Sequence, residues 1–160
     1  MKTTLIRIFS FLVTLALPVL LLTACSDSES VSVPQTEQTG TASTSRWYSN
    51  EQAVTGAEVF ARNCAVCHGE NAEGLVSDWR QRLDDGSLPP PPLNGTAHAW
   101  HHPNAVLLQV INNGGAAFGG KMPAFAEVLD ESEKLAAIAY FQNFWSDKIY
   151  AQWTQIGGSN

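Results

Sequence analysis

Cys64, Cys67 and His68 stand together in the run Cys-Ala-Val-Cys-His, two thiols three residues apart with an imidazole directly after the second. Such a pair serves three chemistries: a redox-active disulfide, half of a zinc site, or thioether attachment of a haem. Only the last needs the adjacent histidine, since both thiols must reach one edge of a porphyrin while the next side chain turns under the iron. A zinc site would want two more ligands at a comparable spacing, and a fourth cysteine does not exist in a chain that has three. A thioredoxin-like pair would want a βαβ setting. The cysteine-histidine run therefore reads as an attachment site for one haem c, with His68 as the proximal ligand.

The other face of the iron needs a second ligand. The chain has two methionines, of which Met1 is the initiator, so Met122 is the remaining thioether. It follows the glycine-rich stretch 114–120, which lets the backbone swing round a porphyrin edge. The alternatives are a gap-filling core methionine, or ligation by His98, His101 or His102. A thioether raises the potential relative to a second imidazole, so the choice bears on function.

The third cysteine belongs to a different signal. Lys2 and Arg7 precede an apolar run that ends Leu22-Thr23-Ala24-Cys25, the pattern of a secretory signal peptide over residues 1–24. Its last four residues resemble a bacterial lipobox, in which Cys25 carries lipid. With Cys25 lipidated and Cys64 and Cys67 bound to haem, no thiol is left over in an oxidising compartment. Half of the residues from Ser26 to Ser45 are Ser or Thr, so 25–45 reads as a disordered tether. By random-coil scaling it spans about 25 Å. The folded part is then 46–160.

The whole chain carries a formal charge of -6; losing Lys2 and Arg7 leaves seven basic residues against fifteen acidic ones, or -8. That balance disfavours nucleic acid and favours redox partner proteins with a basic docking surface.

The elements that must position these residues read as helices. Ser49 and Gln52 have capping-box spacing, and Val54, Ala57, Phe60 and Ala61 follow at helical period, predicting a helix over 50–63 that leads into the cysteine run. A second is predicted over 103–112, with Pro103 at its first position, an apolar face of Val106, Leu107, Val110 and Ile111, and Gly114-Gly115 as its stop. Asp130 and Glu133 form another capping box, opening a third that continues through Leu135, Ile138, Tyr140 and Phe141 to Phe144 and Trp145. No stretch alternates like a strand. The domain reads as all-α, with three main helices and long loops wrapped around one covalently bound haem.

With these residues in place, 46–145 resembles a class I monohaem cytochrome c of the bacterial periplasmic type, here as a lipoprotein. The resemblance implies that Gly56 and Phe60 pack against Tyr140 where the terminal helices cross. It implies that Pro91, in Pro91-Pro92-Leu93-Asn94-Gly95, offers its carbonyl to the second ring nitrogen of His68 while Leu93 packs on the porphyrin. Met122 matches the family's distal methionine and Phe141 the apolar residue beside the haem edge, and Trp100 covers a propionate. On the residues alone, His101 and His102 then contact the start of the second helix or solvent; the sharper alternative for His98, His101 and His102 is a second metal site or a histidine ligand to the iron. The chain departs from the minimal pattern in its long segment 70–88, where Trp79 and Arg80 could shield a propionate or form a docking surface.

The function implied is a lipid-anchored periplasmic electron carrier that cycles between Fe(II) and Fe(III), not an enzyme, though able to act as the electron-entry subunit of a larger oxidoreductase. The other class is a haem-based small-ligand sensor or redox enzyme with a labile Met122. Ser26 after Cys25, where aspartate would retain a lipoprotein in the inner membrane, points to the outer one.

Overall fold

The computed structural model describes residues 45–160. The predicted signal peptide, Cys25 and all of the tether except Ser45 lie outside the described residues. The described residues form five α-helices: α1 (Asn50–Asn63), α2 (Ala65–His68), α3 (Asn104–Asn113), α4 (Glu131–Gln142) and α5 (Asp147–Gln155). Among the described residues there is no strand, only an isolated parallel bridge between Leu88 and Gly120. No described helix is long and apolar enough to cross a membrane.

Both capping boxes form. Ser49 Oγ accepts from the Gln52 amide at 3.2 Å while Gln52 Oε1 accepts from the Ser49 amide at 2.9 Å. At α4, Asp130 Oδ1 and Glu133 Oε2 exchange the same reciprocal bonds, each at 2.9 Å. Each box satisfies amides that have no partner inside the helix, which is why these starts lie where local sequence puts them.

α1 and α4 cross at Gly56. A Cβ there would lie 1.9 Å from the Ala136 carbonyl oxygen, so only glycine lets the two backbones touch. One turn on, the rings of Phe60 and Tyr140 meet at 5.0 Å. This crossing rotates α1 from the face its periodicity suggested. Ala53, Gly56, Val59 and Phe60 are buried, whereas Val54 and Ala61 face solvent.

Two other expected boundaries move. α3 begins at Asn104 with Pro103 as its extended N-cap residue, and one of its free amides, that of Asn104, is taken by the Gly158 carbonyl at 2.7 Å. α4 stops at Gln142 rather than running to Trp145. There the chain tightens: Phe144 donates to Phe141 at 3.3 Å and Trp145 to Gln142 at 3.0 Å, while Arg46 reaches the Trp145 carbonyl at 3.0 Å. Ser146 then caps α5, a helix beyond the three expected, whose Tyr150 and Trp153 enter the core.

Gln142 ties this end together. Wholly buried, its amide accepts from Trp47 Nε1 at 2.6 Å and donates to Asn104 Oδ1 at 3.2 Å. A polar group so placed is tolerable because it is bonded on both sides.

Candidate functional site

Cys64 ends α1, and the next four residues wind into the single turn α2. The Cys67 and His68 amides both donate to the Cys64 carbonyl, at 3.0 and 2.9 Å. Gly69, at φ 79°, lets the chain leave immediately in a conformation that side chains resist. Both thiols and the imidazole thus project from one turn. Cys64 is half-buried, and burial followed by the neighbouring Cys67 pushes its thiol up to about 11. Redox-active cysteine pairs instead have depressed values, so this environment does not favour thiolate chemistry at Cys64.

His68 is buried, and its Nδ1 lies 2.9 Å from the Pro91 carbonyl oxygen. A carbonyl can only accept, so Nδ1 carries the proton and the neutral ring keeps its Nε2 lone pair for a metal. Burial, which favours the neutral ring, lowers the pKa of His68 and outweighs the upward pull of that carbonyl.

The loop that presents Pro91 is held at several points. The Leu93 and Asn94 amides donate to the Ala72 carbonyl at 2.7 and 3.1 Å, and Trp145 Nε1 donates to the Leu93 carbonyl at 2.7 Å. Gly95 turns at φ 94° where a Cβ would press on the Trp145 ring at 3.1 Å. Leu93 packs against the main core, which includes buried Phe141, whose ring lies 6.1 Å from that of Trp145.

Met122 is half-buried and packs on a second apolar cluster formed by Val59, Phe125, Leu129 and Ala137. Its carbonyl accepts from the Gly115 amide at 2.9 Å, and a Cβ on Gly114 would lie 2.6 Å from that oxygen. Gly114, also at φ 78°, is required by this close approach. Trp100 is half-buried, edge-on to His101 at 3.9 Å.

Among the described residues no three His, Cys, Asp or Glu side chains converge as a metal-binding group. His98 instead stacks on Trp79 at 4.7 Å, and the Arg80 guanidinium lies over that indole at 4.4 Å. The segment 70–88 therefore reaches the histidine loop, a contact that no local pattern in the sequence announces. His98 Nδ1 is buried without a protein partner. Burial, and after it the charges of His102, His101 and Arg80, lower the pKa of His98.

A helical fold with two thiols and an oriented imidazole on one turn defines a cytochrome c. Residues 51–141 match the family described as Cytochrome C oxidase, cbb3-type, subunit III, and the chain belongs to that family. It is similar to the Cbb3-type cytochrome c oxidase subunit CcoP of Azospirillum brasilense, 34% identical over 60% of this chain and 30% of the relative. The Cbb3-type cytochrome c oxidase subunit FixP of Azorhizobium caulinodans is 36% identical over 55% of this chain and 26% of its own length. A shorter match, 51% identical over 35 residues, joins it to the CcoP subunit of Rhodobacter capsulatus. The chain thus spans less than a third of the length of these curated relatives. No solved structure matches it significantly.

The family implies a haem c, and the residues present suit one. Cys64 and Cys67 are free thiols. His68 offers Nε2, and the unpartnered His98 Nδ1 beside Arg80 is suited to a propionate. The family is a cytochrome c electron-transfer family, and the relatives are oxidase subunits by their names, a finer placing than the monohaem class that the motifs suggested.

Proposed function

We propose that this chain is an electron carrier with one haem c attached at Cys64 and Cys67, ligated by His68 and Met122, and tethered by lipid on Cys25 to the periplasmic side of a bacterial membrane. The observation that carries this reading is the 2.9 Å contact between His68 Nδ1 and the Pro91 carbonyl beside two free cysteines of the same turn. The bound haem supplies a one-electron couple. The protein's own residues do the rest. Cys64 and Cys67 fix the porphyrin edge, Pro91 holds the tautomer of His68, Leu93 and Phe141 exclude water, and Trp100 and His98 cover the propionate side.

The names of the relatives support a terminal oxidase of the cbb3 type as the electron acceptor, with this chain as a separate donor or as an entry subunit. A mature charge of -8 suits brief docking on a basic surface. The experiment is stopped-flow oxidation of the reduced holoprotein by a purified cbb3-type oxidase at increasing salt. Rapid transfer that slows as the Debye length falls from about 30 Å at 0.01 M to about 8 Å at 0.15 M supports the reading. Transfer no faster than to oxygen alone, at any salt, overturns it. For the anchor, Cys25→Ser should accumulate unprocessed precursor and lose acyl label; unchanged processing and membrane association would contradict lipidation.

A further inference from the structure

The segment 70–88 does two separate things. Its first part supports the His68 side: the Gly74 amide donates to the His68 carbonyl at 2.7 Å, and Ala72 supplies the carbonyl that holds Leu93. Its second part crosses to the loop that carries Met122. Residues 82–88 close on themselves, with Leu83 donating to the Ser87 carbonyl at 2.9 Å and Arg82 Nη1 to the Gly86 carbonyl at 2.6 Å. Within this turn the Asp85 carboxylate accepts from the amide and hydroxyl of Ser87, at 2.9 and 2.5 Å, and forms an ion pair with Lys121. The Leu88 amide donates to the Gly119 carbonyl at 2.8 Å, and Leu88 pairs with Gly120 in the one isolated bridge among the described residues. The Arg82 guanidinium covers Gly119, with Nη1 3.3 Å from where a Cβ would stand.

Otherwise the loop is closed by its own main chain, the Gly115 amide donating to the Met122 carbonyl at 2.9 Å and the Gly120 amide to the Gly115 carbonyl at 3.0 Å. Residues 114–120 include four glycines, and Phe118 is exposed, so few side chains pin it. Glycine also makes ordering such a loop costly in entropy. Directly after Leu88 come four prolines, Pro89 to Pro92, a stiff run whose third member, Pro91, turns its carbonyl to His68. One continuous stretch, 82–91, therefore touches the supports of both candidate axial ligands.

We propose that residues 82–88 are a strap that holds the Met122 loop closed, with Asp85 and Lys121 as positioning residues that limit how often the thioether leaves the iron. This rests on Met122 being the distal ligand. Both members of the ion pair are substantially exposed, at 48 and 68%, so its effect on global stability is small. What it biases is local opening of a loop that few side chains pin.

The experiment uses the haem-loaded protein with Lys121→Gln, Asp85→Asn, and the exchange Asp85→Lys with Lys121→Asp. Two quantities are read: the rate of carbon monoxide binding to the ferrous form, and amide hydrogen exchange over 114–122. Each single variant should raise both about two- to fivefold, and the exchanged pair should restore them toward wild type. Salt should raise both in the wild type and leave the single variants unchanged. Single variants that match the wild type in both readouts overturn the strap. The ferric spectrum separates this from failure of the ligand assignment. A far-red sulfur-to-iron band that Met122→Ala abolishes keeps Met122 as the ligand whatever the strap does; a wild type without that band, unaltered by Met122→Ala, removes the ligand and the strap's role together.

Discussion

Gly56 meets the main chain of Ala136 with no room for a side chain, the missing Cβ standing 1.9 Å from a carbonyl oxygen. Since α4 also carries Phe141 toward the core and α1 ends in Cys64, this contact sets where the attachment turn lies relative to the apolar wall. Gly56→Ala should force the helices apart and cost at least about 1–3 kcal/mol, the range for overpacking. Urea unfolding of the holoprotein checks it, and an unchanged midpoint would contradict the crossing.

Trp145 connects the end of α4 to the loop that orients His68. Trp145→Phe keeps most of the apolar volume but leaves the Leu93 carbonyl without its 2.7 Å donor. The expected loss is about 0.5–1.5 kcal/mol of stability, the net contribution of a typical hydrogen bond, since this one is only partly buried. A shift in the reduction potential, measured by redox titration, should accompany it as His68 loses its fixed support.

Trp153 is wholly buried against Trp145 and Tyr150, and its Nε1 donates to the His102 carbonyl at 2.8 Å. Trp153→Ala should destabilise by about 3–5 kcal/mol, as large aromatic truncations do. Hydrogen exchange should rise in the 98–102 loop as well as in α5. Exchange confined to α5 would show that the helix does not brace the histidine loop.

Asp130 caps α4, and its hydrogen bonds from Ser132 and then from the Glu133 amide hold its pKa below the ordinary value. A carboxylate depressed in the folded state stabilises fully above its unfolded pKa of about 3.9, and that contribution fades as pH falls through the lower folded value. Thermal melting should therefore weaken on acidification below about pH 4. Asp130→Asn, still a competent cap, should flatten this part of the profile.

What was legible in the sequence follows the range of the interactions. The capping boxes at Ser49 and Asp130 are local in sequence, and the turn bearing Cys64, Cys67 and His68 is six consecutive residues counted to Gly69. Pro91 was reachable only through resemblance. The buried face of α1 differs from the one that Val54 and Ala61 suggest because the contact of Gly56 with Ala136 decides it, and glycine gives no hydrophobic signal. α5 had a signal in Ser146, Tyr150 and Trp153, but the aromatic run before it made α4 look longer than it is. The pairing of Leu88 with Gly119 and Gly120 uses main-chain groups that every such residue carries, so no side-chain pattern announces it.

Covalent haem at Cys64 and Cys67 is tested most directly by the absorption spectrum of the purified protein denatured in alkaline pyridine. The predicted result is a haem c spectrum, with both vinyl groups saturated, at about one haem per chain, that survives acid-acetone extraction and is absent from the Cys64→Ala, Cys67→Ala variant. A haem that extracts freely, or protein matured in a cytochrome c-competent host that carries none, would contradict it.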